Sequence, residues 1–317
     1  MAGGQERILR RRISSVQSTK KITRAMELIA ASRIVRAQAR VRAAMPYSDT
    51  ITEVVHDLAE GGAGRDNPLL TPRPEIGRVG LVVVAADRGL CGGYNAFVQR
   101  AAEAAVRAHQ EQGRDYGIVA VGRKVESYFR FRDYQIDAAF SGFSEQPSYE
   151  DARVVASAAL SPFLGRVREP DDPHGYDRVE IVYTRFLTAG SQQVVVRQLI
   201  PVEPEVPDTA TEATAVGPTY EFEPSPEVIL EHLLPRYVDA QVFAALLNAA
   251  ASEHAARQRA MKAATDNADD LIVSLTRVMN RARQDSITTE IMEIVSGAEA
   301  LRQRPAESEP DRLLVTD

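Results

Sequence analysis

The chain has 317 residues, 44% of them hydrophobic and 26% charged, with a net charge of −6 and a single cysteine. That length allows roughly two domains, or one domain with an extension. One cysteine excludes an internal disulfide and any multi-cysteine metal centre, and no apolar run reaches the ~18 residues that a membrane-crossing helix needs.

Residues 1–42 hold nine Arg and two Lys against Glu6 and Glu27, a net of +9, so the remainder carries −15. A basic helix on an acidic body suits nucleic acid, anionic lipid or an acidic protein, and equally a solvated helix face. The first residues lack the apolar core of a signal peptide, which places the protein on the cytoplasmic side.

The first helical run is predicted over 4–44. It is expected to end near Met45-Pro46, because proline cannot continue the hydrogen-bond ladder without a kink. Helix resumes over 48–60, and Gly61-Gly62-Ala63-Gly64 breaks it. Ile22, Met26 and Ile29 step by four and three, the spacing of a coiled-coil seam, with Thr19, Lys20, Arg33 and Arg36 interrupting it.

The period then changes. The apolar run over 79–86, rich in β-branched residues, reads as a strand buried on both faces. A Gly-rich turn follows, then a helix (95–112), a strand (118–121), a helix (124–131), a strand (134–139) and a helix (149–165). This alternation implies parallel strands joined by crossover helices. A polar, proline-broken loop spans 168–175. Strands over 179–186 and 193–199 form an edge hairpin through Thr188-Ala189-Gly190-Ser191. Residues 201–226 read as a Pro-, Glu- and Thr-rich linker, with a short edge strand at 220–222.

The last helix begins after Pro226, with Pro235 as a kink or the true start. Residues 244–264 are dense in alanine, which permits close helix approach. Leu271, Leu275, Val278 and Ala282 form a seam. Ile287, Ile291, Ile294, Ala298 and Leu301 continue it in a new register, a stutter. A helix of about 80 residues exceeds ~100 Å, too long for one compact domain. The natural partner is the first helix, folded back antiparallel. The expected segments are a coiled-coil helix (1–60), an α/β domain (76–222), a second coiled-coil helix (226–304) and a disordered tail (305–317). The fold class is therefore α+β or α/β: an antiparallel coiled coil of the terminal helices plus a Rossmann-like domain with a mostly parallel sheet.

Chemistry is hard to find. The turn Asp87-Arg-Gly-Leu-Cys-Gly-Gly-Tyr-Asn95 joins a strand to a helix, where open α/β sheets bind ligands. No Lys-Ser/Thr follows, and the glycines miss the dinucleotide spacing, so neither phosphate motif is matched. Cys91 lacks a suitably spaced histidine or a following arginine and reads as an inert thiol. The five histidines form no ligand-spaced pair. No catalytic residue, cofactor site or metal site is assigned. Three readings stay open on residue types: a mechanical coiled-coil part, an α/β phosphate-binding enzyme with a coiled-coil arm, and a coiled-coil nucleic-acid or lipid binder.

Three ordered motifs resemble the gamma subunit of F-type ATP synthases, with an actinobacterial flavour. They are Ile22-Thr-Arg-Ala-Met-Glu-Leu-Ile-Ala-Ala-Ser-Arg33, the turn 87–95, and a long C-terminal signature. The last runs from Ser252-Glu-His-Ala-Ala-Arg257 through Met261-Lys-Ala-Ala-Thr-Asp-Asn267 and Asn280-Arg-Ala-Arg-Gln284. It ends with Ser286-Ile-Thr-Thr-Glu-Ile-Met-Glu-Ile-Val-Ser-Gly-Ala298. The resemblance implies a non-catalytic rotor whose turning couples proton flow to ATP synthesis. Implied partners are a hexamer of alpha and beta subunits, the epsilon subunit and the membrane ring of c subunits, with no nucleic acid. ATP, ADP and magnesium bind on the alpha and beta partners. The protein is peripheral to the cell membrane, and its membrane association is indirect. By the same resemblance, Met26, Arg88, Cys91, Arg257, Arg283, Gln284, Thr288 and Glu290 contact beta subunits. Residues 166–176 form a longer loop than the family pattern and are expected to face the c ring.

Overall fold

The structure, a computed structural model, describes residues 2–60, 64, 67–169, 172–202 and 225–302. The linker residues 203–224, with the strand expected at 220–222, and the tail 305–317 lie outside the described residues. Ten elements follow in order. They are α1 (Ala2–Glu60), β1 (Arg78–Val84), α2 (Tyr94–Glu111), β2 (Asp115–Val121), α3 (Arg123–Phe131), β3 (Ile136–Phe140), α4 (Tyr149–Arg168), β4 (Arg178–Phe186), β5 (Gln192–Ile200) and α5 (Pro226–Arg302). The chain divides into two compact units, residues 25–262 and residues 1–24 with 263–317.

The larger unit is built on one sheet in the order β3-β2-β1-β4-β5. β1 pairs in parallel with β2 and β4, β2 pairs in parallel with β3, and β5 closes the sheet antiparallel to β4. All seven residues of β1 are buried, as a strand covered on both faces requires. Val79, Leu81 and Val83 meet Val98, Ala102 and Val106 of α2 and Val125 and Phe129 of α3. The alternate residues Val82 and Val84 join a second core with Ala152, Val155, Ala159 and Phe163 of α4. The same core takes Ile51, Val55 and Leu58 of α1 and Leu230, Leu234 and Leu246 of α5.

The expected break at Pro46 is corrected: α1 runs through it as one helix. A proline removes one ladder bond, at a cost of ~3 kcal/mol. Burial of Ile51, Val55 and Leu58, each at most 5% exposed, holds the next turns in place. Pro235 likewise lies inside α5.

The expected seam is also corrected. Ile22 and Ile29 are exposed, at 61% and 54%. The buried line of α1 in this unit is Glu27, Ala30, Ile34 and Ala37, spaced three, four and three. Small and polar residues thus face inward on α1, where Ala37 lines a groove with Leu247, Ala250 and His254 of α5.

The smaller unit is an antiparallel helix pair. Thr23 and Thr265 share a hydroxyl bond of 2.8 Å, and Lys20 pairs with Asp269 one turn further along. The inward line of α5 is Thr265, Ala268, Ile272, Leu275, Met279, Ala282 and Ser286, an unbroken heptad. Leu271 and Val278 of the expected seam are exposed, and the stutter is absent from the inward line. Extending the observed register brings the first turn of α1 opposite Ser286. Ile287, Ile291 and Ile294 lie beyond it and are exposed.

The expected loop at 166–176 is anchored at both described ends. Arg166 and Arg168 still belong to α4. Tyr176 is fully buried, with its hydroxyl donating to Asp137 Oδ2 at 2.6 Å and its ring below Arg78. Asp177 accepts from the N–H groups of Gly77 and Arg78, both at 2.9 Å, and pairs with Arg73 and Arg166. Burial alone would raise the Asp177 carboxyl; those amides and guanidinium groups outweigh it and hold it below the usual range. Gly80 leaves room for the Tyr176 ring, since a Cβ there would lie 2.6 Å from Cδ2. Gly80→Ala should therefore destabilise by about 2–3 kcal/mol in chemical denaturation, and adding Tyr176→Leu should recover part of that loss.

Candidate functional site

The turn 87–95 lies at the carboxyl end of β1. Asp87, with its side chain 7% exposed, accepts from the N–H groups of Arg123 (3.1 Å), Gly142 (2.8 Å) and Ser144 (3.1 Å). One carboxylate therefore ties together the segments that follow three strands. Asn95 Oδ1 accepts from Ala86 N at 3.0 Å, and Asn95 Nδ2 contacts Cys91 Sγ at 3.2 Å. Leu90 and Gly92 both adopt left-handed backbone, with φ of 62° and 59°. A leucine there is strained by sterics, so the surrounding bonds must hold it. The result is a stiff turn that presents Leu90, 62% exposed, and the Arg88 side chain, 72% exposed.

Behind the turn is a buried charge cluster. Glu253 is 1% exposed and accepts from Arg257 Nη2 at 2.6 Å. Arg257 also reaches Gly89 O at 3.4 Å and lies 3.8 Å from Glu145. Glu145 further pairs with Arg33 of α1 and lies 3.7 Å from Arg88, while its carbonyl accepts from His254 Nε2 at 3.2 Å. Burial pushes the Glu253 carboxyl up, against the pull of Arg257. Burial also lowers the His254 imidazole and, followed by the nearby Glu253 charge, raises the Cys91 thiol. Cys91 is 1% exposed. No group of three metal-ligating side chains occurs among the described residues.

The eight residues expected at the interface fall into two sets. Arg88, Arg283, Gln284, Thr288 and Glu290 are exposed, and Met26 is half-buried. Glu290 accepts from Ser286 Oγ at 3.3 Å on its own helix. Arg257 and Cys91, at 6% and 1% exposure, turn their side chains inward and support the turn. The sequence reading missed Leu90, Glu145, Glu253 and His254. A leucine directly after Gly89 in a Gly-rich turn was a readable sign of an outward apolar tip. Nothing in sequence joined Glu145 to Arg33 and Arg257, which lie more than a hundred residues away on either side.

Comparison with known proteins decides the family. The family model described as ATP synthase matches residues 5–301. The ATP synthase gamma chain of Parafrankia sp. is 50% identical over 300 residues, covering 94% of this chain and 98% of that one. The chain belongs to the ATP synthase gamma chain family. The gamma chain of Mycolicibacterium smegmatis is 49% identical over 301 residues, covering 93% and 97% of the two chains. A chain of the Euglena gracilis mitochondrial ATP synthase superposes with a TM-score of 0.65 at 19% identity, covering 98% of this chain and 99% of that one. A chain of the Tetrahymena thermophila central stalk and c ring gives 0.58 at 21% identity, covering 77% and 99%. These two establish the shared fold. As a gamma chain, the protein serves ATP synthesis as a subunit of the ATP synthase.

Two outcomes follow from the cluster. Arg257→Met strands Glu253 without its partner and should cost about 3–5 kcal/mol near neutral pH. Adding Glu253→Gln should return more than half of that loss in urea denaturation. For His254, the folded pKa lies below the unfolded one, so the unfolded chain takes up the proton first. Stability should therefore fall as pH drops through about 6.5 and level off below the folded pKa. His254→Gln should flatten that part of the Tm-against-pH curve; an unchanged curve would refute the assignment.

Proposed function

We propose that this gamma chain is the central rotor shaft of a proton-driven ATP synthase and carries no catalytic centre of its own. The observation that supports this best is the apolar face of α5 after Ser286. Ile287, Ile291, Met292, Ile294 and Val295 are 46–71% exposed, on a helix that has run past the start of α1. Apolar surface of that extent calls for cover by another protein. A sleeve of alternating alpha and beta subunits provides it. Turning inside a sleeve requires contacts that break and re-form, so that different states bind the shaft differently. The exposed Arg88, Arg283, Gln284, Thr288 and Glu290 supply polar contacts of that kind to the beta subunits. The turn with Arg88 and Leu90 acts as a stiff cam.

In this reading the epsilon subunit and the ring of c subunits hold the α/β domain. Nucleotide and magnesium sit on the alpha and beta subunits. The chain is peripheral to the membrane, and no described helix is long and apolar enough to cross it. Rotation of the ring forces each beta subunit in turn through open, loose and tight states.

Co-expression with alpha and beta subunits should yield a complex that hydrolyses ATP; a chain that never co-purifies overturns the proposal. Within the complex, Arg88→Glu should reduce ATP-driven proton pumping more than hydrolysis, because the side chain is exposed and its loss does not disturb packing. Equal losses of both activities, with a lowered Tm, would mean that Arg88 acts only on stability.

A further inference from the structure

Residues 141–148 join β3 to α4. This short loop is bonded to three segments that are remote from it in sequence: the turn 87–95, α1 and α5. The contacts assigned to the rotor so far make no use of it.

The ties to the turn run through Asp87. Gly142 N and Ser144 N donate to Asp87 Oδ2, and Ser144 Oγ accepts from Asp87 N at 3.0 Å. The ties to α5 use main chain and side chain. Glu145 O is bonded to His254 Nε2 at 3.2 Å, Glu145 Oε1 lies 3.8 Å from Arg257 Nη1, and the Ser144 hydroxyl donates to Glu253. On α1 the loop holds two points. Glu145 Oε2 accepts from Arg33 Nη1, and Pro147 O accepts from Arg40 Nη2. The two arginines are seven residues apart, so they stand on one side of the helix, about 10 Å apart along its axis.

A two-point hold of this kind matters because of what α1 presents inward here. Its buried line is Ala30, Ile34 and Ala37, while Leu28, Ile29 and Val35 are exposed. The large knobs that lock one helix of a coil into its partner are therefore mostly on the outside. Ile51, Val55 and Leu58 fix α1 in the core of the larger unit. From there toward Ala25, a small inward face resists rotation and sliding weakly. Two fixed points two turns apart resist both. Glu145 is central to the hold, since Oε2 meets Arg33 while Oε1 lies between Arg257 and Arg88, the latter at 3.7 Å. One carboxylate thus connects α1, α5 and the turn.

We propose that the loop 141–148 is a bracket that keeps α1, α5 and the turn 87–95 in one rotational register, with Glu145 as its positioning residue. Its use in coupling rests on the rotor reading; its mechanics do not. Glu145→Gln removes the charge and keeps the shape and the main-chain bond to His254. In the full chain, amide hydrogen exchange over 28–42 of α1 should become about tenfold faster in this variant, the size of one charge-assisted hydrogen bond. Adding Arg33→Met should accelerate it no further, because the pair is already broken. Unchanged exchange in Glu145→Gln, or a second acceleration of equal size on adding Arg33→Met, overturns the bracket. In the complex assembled with alpha and beta subunits and its membrane sector, Glu145→Gln should lower ATP-driven proton pumping about twofold more than hydrolysis. A merely structural role would instead lower both activities in proportion, together with the Tm, and that result overturns the positioning role. Should Glu145→Gln fail to fold, Arg33→Met, at the more exposed end of the pair, carries the same two measurements. A chain that never co-purifies overturns the rotor reading, while the exchange measurement still decides the bracket.

Discussion

Close packing along the alanine-rich half of α5 is the constraint on which the larger unit depends. Ala245, Ala249, Ala250, Ala251 and Ala255 are all buried. Without side chains to hold them apart, α5, α1 and the sheet come near enough to enclose Ser252, Glu253, His254 and Arg257 as well. Those polar groups cannot be buried unpaired. Ser252, His254 and Arg257 therefore draw partners from other segments, Thr184 O, Glu145 O and Gly89 O, while Glu253 pairs with Arg257 on its own helix. The packing of small residues in this way positions the stiff turn 87–95.

The same economy of side chains leaves the larger apolar residues outside. On α1 the inward heptad is filled by Glu27, Ala30, Ile34 and Ala37, while Ile22, Leu28, Ile29 and Val35 are exposed. On α5 the isoleucines after Ser286 are exposed too. A two-helix coil optimised for its own stability would reverse that distribution. An inward line of modest hydrophobicity and an outward face of larger side chains suit a part whose surroundings form most of its contacts.

Much of the architecture was legible in sequence because it rests on local periodicity. The continuous apolar run at 79–86 could only be a strand covered on both faces, and the alternation that follows allowed only a wound sheet with an edge hairpin. The seam was not legible. The rule that large apolar residues face inward selects Ile22, Met26 and Ile29, and it fails where alanines set the interhelical distance. The stutter failed for another reason: the apolar pattern after Ser286 records a face turned outward. Pro46 misled because a local propensity of a few kcal/mol yields to the burial of Ile51, Val55 and Leu58.

The candidate site divides along the same line. Sequence by itself determined that 87–95 is a Gly-rich turn between strand and helix and which family the three motifs resemble. These properties reside in contiguous residues. Only the tertiary structure decided that Arg257 and Cys91 face inward and that Glu145 gathers arginines from α1, α5 and the turn 87–95. Desolvation and pairing depend on which distant segments meet, and no spacing along the chain encodes that.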